Sequence, residues 1–159
     1  MGVEYFVAKT FDEMIVLEDL AKEALAESRF NAAIFSSEKF TAECRKASKD
    51  TDRFGVLIAK SNESVAGVAY CAVGEPLIGS KLLITTVQLL YVRSRFRTSM
   101  LGGRIANSLL NGLISWSRAR NSQELLIHST SGIKPMVNDR FFKKRKLSSI
   151  GGSYAGKIL

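Results

Sequence analysis

The sequence predicts one α+β domain around a mixed sheet, and three observations carry that expectation. Apolar runs of strand type alternate with amphipathic stretches of helical period, in the order strand, two helices, three strands, helix, strand, helix, strand. Polar turns and caps separate these runs, with no linker, repeat or low-complexity tract between them. The 159 residues, 46% of them hydrophobic, suffice to bury one core. Residues 1–159 are therefore read as a single domain.

Each element has a local reason. Residues 4–8 alternate loosely and read as a first strand. Thr10, with Glu13 three residues later, forms a capping box. Met14, Leu17, Leu20, Ala21 and Leu25 follow at helical spacing, so one amphipathic helix is predicted over 11–28. Ser36 or Ser37 caps a second helix over 37–48, with Phe40 and Cys44 on one face. Residues 53–59 and 65–73 are apolar runs joined by the polar turn 60–64, the signature of a hairpin, and 82–92 is a third member of the same sheet. Ile105, Leu109, Leu110, Leu113, Ile114 and Trp116 form the buried stripe of a helix ending near Asn121, a residue suited to a left-handed cap. Residues 125–129 read as a further strand, and Pro135 favours a short helix over 135–146. Residues 150–159 are expected to close the chain as an extended strand, with Gly151 and Gly152 at a bend.

The stretch with most chemistry in it runs from Leu83 to Leu110. The apolar run LITTVQLLYV feeds the basic loop RSRFRTSMLGG, and paired glycines open a helix. That layout offers free backbone N–H groups and the positive end of a helix dipole to an anion. Arg93, Arg95 and Arg97 surround the same place, so it reads as a phosphate or pyrophosphate site. Charge along the chain agrees. Residues 1–92 hold 10 Lys+Arg against 13 Asp+Glu, a net −3, while residues 93–159 hold 13 against 2, a net +11. The basic half is expected either to face something anionic, a polyphosphate cofactor, nucleic acid or an acidic protein surface, or to be a solvated basic face.

Several function classes find no support. No apolar run of about 18 residues exists, and the start of the chain lacks a basic region followed by an apolar one, so neither a membrane span nor a secretory signal is expected. Gly2 could suggest myristoylation, but Phe6 stands where Ser or Thr is needed. Cys44 and Cys71 fit a reducing compartment as buried thiols, and the expected address is cytoplasmic. One histidine and two distant cysteines do not make a zinc site, and neither a nucleophile elbow nor a Walker-type Gly-Lys-Ser/Thr sequence occurs.

Element order and motif together resemble the GCN5-related N-acetyltransferase (GNAT) superfamily. LYVRSRFRTSMLGGRIANSLL resembles its strand-loop-helix acyl-CoA motif, with Arg97 at the first position, Met100 where a middle glycine is expected and Gly102 at the last. NDRFFKKRKLSSIGGSYAGKIL resembles its closing helix and strand, with Phe142 at the usual tyrosine position, Lys146 at the glycine and Leu147 at the aromatic. SRFNAAIFSSEKF, HSTSGI and GGSYAGKIL look most like small GNAT-type proteins of tailed bacteriophages. The resemblance implies a central mixed twisted sheet with helices on both faces, acetyl-CoA as co-substrate, and transfer of its acyl group to a primary amine of a small molecule or protein. Backbone groups of Leu90, Tyr91 and Val92 would bond the pantetheine arm. Arg97, Thr98, Ser99, Met100, Leu101, Gly102, Gly103 and Arg104 would bind the pyrophosphate and adenosine phosphates. Met100 is accommodated if its side chain points to solvent.

The departures matter for mechanism. No Asp or Glu occurs between Glu75 and Glu124, so the fourth strand supplies no carboxylate base; Gln88 and Thr86 could only hold a water. Phe142 cannot act as an acid. Tyr154 on the closing strand is a candidate acid, and His128 a candidate base, beside the alternatives that each only packs or hydrogen-bonds in place. Positioning alone supplies part of the rate, so slow turnover is expected. A second hypothesis keeps the fold without the chemistry, as a binding or structural module such as a virion component docking an acidic partner, located in host cytoplasm or virion. A nucleic-acid reading through FFKKRK ranks third, because no helix-turn-helix, zinc or RNP-type signature supports it.

Overall fold

The computed structural model describes residues 2–158. Five strands form one sheet in the order β1-β2-β3-β4-β5: β1 (Val3–Ala8), β2 (Phe54–Ser61), β3 (Ser64–Gly74), β4 (Ile84–Val92) and β5 (Glu124–Ile127). The first four pair antiparallel, and β5 joins β4 in parallel, so the sheet is mixed as expected. Asn62 and Glu63, both at positive φ (48° and 63°), make the tight turn between β2 and β3, the backbone handedness that two-residue hairpins need.

Helices cover both faces. On one lie α1 (Phe11–Ile15), α2 (Glu18–Glu27) and α3 (Ser37–Lys49), whose Met14, Leu20, Ala24 and Cys44 pack on Val56, Ile58, Val68 and Tyr91. On the other lies α5 (Met100–Arg118), after a single turn α4 (Ser94–Arg97); its Ile105, Leu109, Leu113 and Trp116 pack on Leu57, Ala59, Ala69 and Val87. Alternation along β2 therefore feeds two cores, Val56 and Ile58 to one and Leu57 and Ala59 to the other. The capping box forms as read: the Glu13 amide donates to Thr10 Oγ1 at 3.3 Å and the Thr10 amide to Glu13 Oε2 at 3.0 Å. Ser36 caps α3, and Asn121 ends the turn after α5 at φ 56°.

Three expectations are corrected. The helix over 11–28 is broken at Val16 and Leu17 into α1 and α2. The β-branched pair Ile15–Val16 weakens the helix there, and the break leaves Val16 62% exposed while Met14, Leu17 and Leu20 all reach the core. Ile114 is 38% exposed rather than part of the buried stripe of α5. No strand forms over the described residues of 150–159; α6 (Pro135–Lys144) is followed by an irregular exposed segment. Gly151, Gly152 and Gly156 raise the entropic cost of ordering that segment, and its few apolar side chains bury nothing in return.

Leu109 is fully buried between α5 and the sheet. Leu109→Ala is expected to cost about 2–5 kcal/mol, read by thermal melting as a fall in Tm of roughly 5–15 °C.

Candidate functional site

The site begins with an irregularity in β4. Tyr70 of β3 faces Leu89 and the next residue, Cys71, faces Val87, so Gln88 is an extra residue without a partner across the ladder. The parallel pairing of β4 with β5 stops at the same place: Val87 and Ile127 are its last partners, followed by one bond from the His128 amide to the Val87 carbonyl at 3.2 Å. Beyond Gln88 the two strands part. Residues 89–92 stay bonded to β3 on one side and have no strand on the other.

The parting opens a cleft of about 740 Å³, within the range of small-molecule sites. Gln88, Leu90, Tyr91 and Val92 line it from β4, and Arg97, Ser99, Gly102 and Gly103 from the loop and the start of α5. His128 and residues 129–131 line it after β5, and Phe141 and Phe142 from α6. Thr98, Met100, Leu101 and Arg104 are not on its wall. Met100 is 82% exposed, which meets the condition on which its side chain is accommodated at this position.

The start of α5 suits an anion. Ser99 is its N-cap residue but makes no capping bond; its hydroxyl donates instead to the Phe96 carbonyl at 3.0 Å. The first amides of a 19-residue helix thus have no side-chain acceptor. The two glycines do different work. A Cβ on Gly102 would lie 2.5 Å from the Phe96 carbonyl oxygen and 2.8 Å from Arg97 Cα, so this glycine seats α5 against the loop. A Cβ on Gly103 meets nothing within 4 Å, so this position faces open cleft.

The loop arginines are not free in the way the sequence suggested. Arg93 Nη1 lies 3.3 Å from Glu23 Oε2, and Arg97 Nη1 bonds Glu27 Oε2 at 2.6 Å while its Nε donates to the Val92 carbonyl at 2.6 Å. The Ser94 amide and hydroxyl reach Glu23 Oε1 at 3.0 and 3.2 Å. The Tyr91 hydroxyl sits 3.0 Å from Glu23 Oε1 and 2.8 Å from Glu27 Oε1. Two carboxylates one turn apart on α2 therefore clamp β4 and the loop. Arg95 rests over the Phe96 ring and Arg104 is exposed. Two guanidinium donors are left over: Arg93 Nε and Arg97 Nη2 are buried without hydrogen-bond partners among the described residues.

Electrostatics follow from this clamp. Burial raises the Glu27 carboxyl, but the hydrogen bonds from Arg97 and Tyr91 outweigh it, and its pKa lies below the ordinary value. Burial, then bonding to Glu27 and Glu23, pushes the Tyr91 phenol far up, which keeps it a donor. Burial also raises Cys44 to about 11 and Cys71 to about 12, which holds both thiols protonated at neutral pH.

Of the candidate catalytic residues, Gln88 and His128 both line the cleft beside the point where β4 and β5 part. Tyr154 is 98% exposed in the irregular segment after α6 and lines no part of the cleft, so its candidacy as an acid is withdrawn. Glu23 and Glu27 were missed. Their i,i+4 spacing looks like any solvated helix edge, and nothing local ties them to residues about 70 positions away.

Two measurements check this construction. Glu27 is stabilising above the unfolded carboxyl pKa and loses that contribution as pH falls through its lower folded value. Glu27→Gln should therefore cost about 1 kcal/mol at neutral pH, with the gap from wild type closing below about pH 4 in pH-dependent denaturant melts. Gly102→Ala should lower Tm through the collision with Phe96, while Gly103→Ala should hold or raise it, by up to about 1 kcal/mol of helix propensity.

No family model matches the chain, and no curated protein does. Solved structures do. A predicted acetyltransferase with acetyl-CoA from Clostridium acetobutylicum matches with a TM-score of 0.74 at 15% identity, over 98% of this chain and 96% of that one. AAC(6')-Iy in complex with the bisubstrate analogue CoA-S-monomethyl-acetylneamine matches with a TM-score of 0.72 at 8% identity, over 100% and 99%. An aminoglycoside acetyltransferase from an uncultured soil metagenomic sample matches with a TM-score of 0.71 at 16% identity, over 100% of both chains. The chain has the fold of these acetyltransferases.

Proposed function

We propose that this protein is an acetyl-CoA-dependent N-acetyltransferase acting on a primary amine. One observation carries the reading: a strand edge opened at Gln88 and an uncapped helix start lie on the same cleft. An extended amide-bearing arm ending in a pyrophosphate suits both at once, since the bare edge of residues 89–92 offers backbone bonds and α5 offers amides to phosphate. The unpartnered Arg97 Nη2 and the open Cβ position of Gly103 fit a phosphate drawn close to the helix start. Two of the similar structures carry acetyl-CoA or a CoA-linked analogue by description, which supports the same ligand here.

Acetyl-CoA supplies an activated acyl group with a thiolate as leaving group. The chain's own residues orient and shield. Leu90, Tyr91 and Val92 hold the arm, the amides at the start of α5 with Arg97 hold the phosphates, and Gly103 leaves them room. His128 and Gln88 flank the point where the strands part and take up or relay the proton that the amine releases, His128 directly and Gln88 through water. Phe142 lines the cleft and, at the sequence position that the resembled family fills with tyrosine, has no proton to give, so the leaving sulfur takes its proton from solvent and turnover is slow.

A second reading, a GNAT-like fold kept for binding alone, draws on one fact: Arg93 and Arg97 are already held by Glu23 and Glu27. The narrower likeness to phage-encoded proteins belongs with it, as a virion component. Calorimetric titration with acetyl-CoA separates the two. Micromolar affinity is expected for the wild type, weakened by at least about tenfold in Gly103→Glu, whose carboxylate would face the pyrophosphate with the fold intact. A wild type that fails to bind removes the acetyltransferase reading.

A further inference from the structure

We infer that the acceptor is an apolar monoamine, one ammonium on an aromatic or aliphatic body, and that polycationic amines are poor substrates. The inference rests on the acetyltransferase reading and names the substrate class of the same cleft.

The lining carries the argument. Its charged members are Arg97 and Lys134, both positive, and no Asp or Glu is found among the described residues on the wall. Glu23 and Glu27 lie off it, engaged with Tyr91, Arg93 and Arg97. Much of the remaining wall is apolar: Ala21, Leu25, Phe30, Leu89, Ile133 and Phe142. The α2 side and the segment after β5 are held together by the Arg29 amide bonding the Ser131 carbonyl at 2.7 Å, so these apolar groups line one open-mouthed cleft.

Such a cleft treats one charge and several charges differently. A buried ammonium needs a counter-charge, and positive neighbours favour its neutral form instead. For a monoamine this is no obstacle, because the free amine is the nucleophile and the reaction must remove that proton. In the transfer a C–N bond forms at the acyl carbon as the C–S bond breaks. The ammonium gives up two protons to His128 or water and on to solvent, and the departing sulfur takes one proton back from solvent, a net release of one. A polycation keeps its other charges throughout and must hold them against this largely apolar wall beside Lys134, with no carboxylate among the described lining residues. The aminoglycoside acetyltransferase of the same fold thus differs from this protein in the chemistry its acceptor demands.

The test uses the intact protein. Acetyl-CoA binding is measured first, since its absence refutes the transferase reading itself rather than the acceptor class alone. Thiol release from acetyl-CoA is then followed with phenethylamine, tryptamine and hexylamine against spermidine and kanamycin, and products are identified by mass. The best monoamine should exceed both polycations in kcat/KM by at least about tenfold. Thr130→Asp, which adds a carboxylate at an exposed position on the cleft wall, should narrow that ratio by about tenfold. Equal or faster turnover of spermidine or kanamycin overturns the inference. So does the absence of monoamine acetylation while acetyl-CoA binds, or an unchanged ratio in Thr130→Asp.

Discussion

The unpaired residue Gln88 in β4 is the constraint on which the functional architecture depends. A strand pairing evenly with β3 would carry its register onward and could keep β5 alongside for its whole length. The extra residue bends β4 at the point where β5 stops pairing, and the gap between them becomes the cleft. Because residues 89–92 remain bonded to β3 through Gly67, Val68, Ala69 and Tyr70, the bare edge stays rigid although one side has no strand. The loop and helix that follow inherit that position, so the start of α5 opens onto the same space.

A second layer of order comes from charge. Glu23 and Glu27 tie α2 to Tyr91, Ser94, Arg93 and Arg97, in part through side chains about four-fifths buried on the arginine side. Screening is weak there, and each bond joins segments about 70 residues apart. Packing of the Arg97 guanidinium over the Tyr91 ring, 4.8 Å from its centroid, adds to this. The clamp places Arg97 at the helix start and engages its Nε and Nη1, which leaves Nη2 and the first amides of α5 without side-chain partners. The excess positive charge of residues 93–159 is distributed accordingly. Arg97 and Lys134 reach the cleft, while Arg140, Lys143 and Lys144 lie exposed along α6.

Much of this was legible residue by residue. Thr10 with Glu13, Ser36, Asn121 and Pro135 are local signals, each satisfied within four residues along the chain, and each marks an element end as read. The helix start after the basic loop was legible for the same reason. The closing strand does not form because an extended segment by itself says nothing about whether a partner edge comes within reach. Tyr154 failed as a candidate with it. Gly102 was assigned to phosphate approach, yet its missing side chain makes room for Phe96 and Arg97, a contact created only when the loop folds into α4.

By itself the sequence determined the strand and helix segments, the helix caps and the strand-loop-helix layout after Leu83, because periodicity and capping are short-range physics. Only the tertiary structure decided which charges are spent and which remain. Glu23 and Glu27 look solvated in the sequence, the arginines look free, and Gln88 looks like one more residue in an apolar run. Their roles depend on pairings across the sheet and between segments distant along the chain. Hydrogen bonding and desolvation act through space, so the balance of charge on the cleft wall becomes fixed only when the elements are packed.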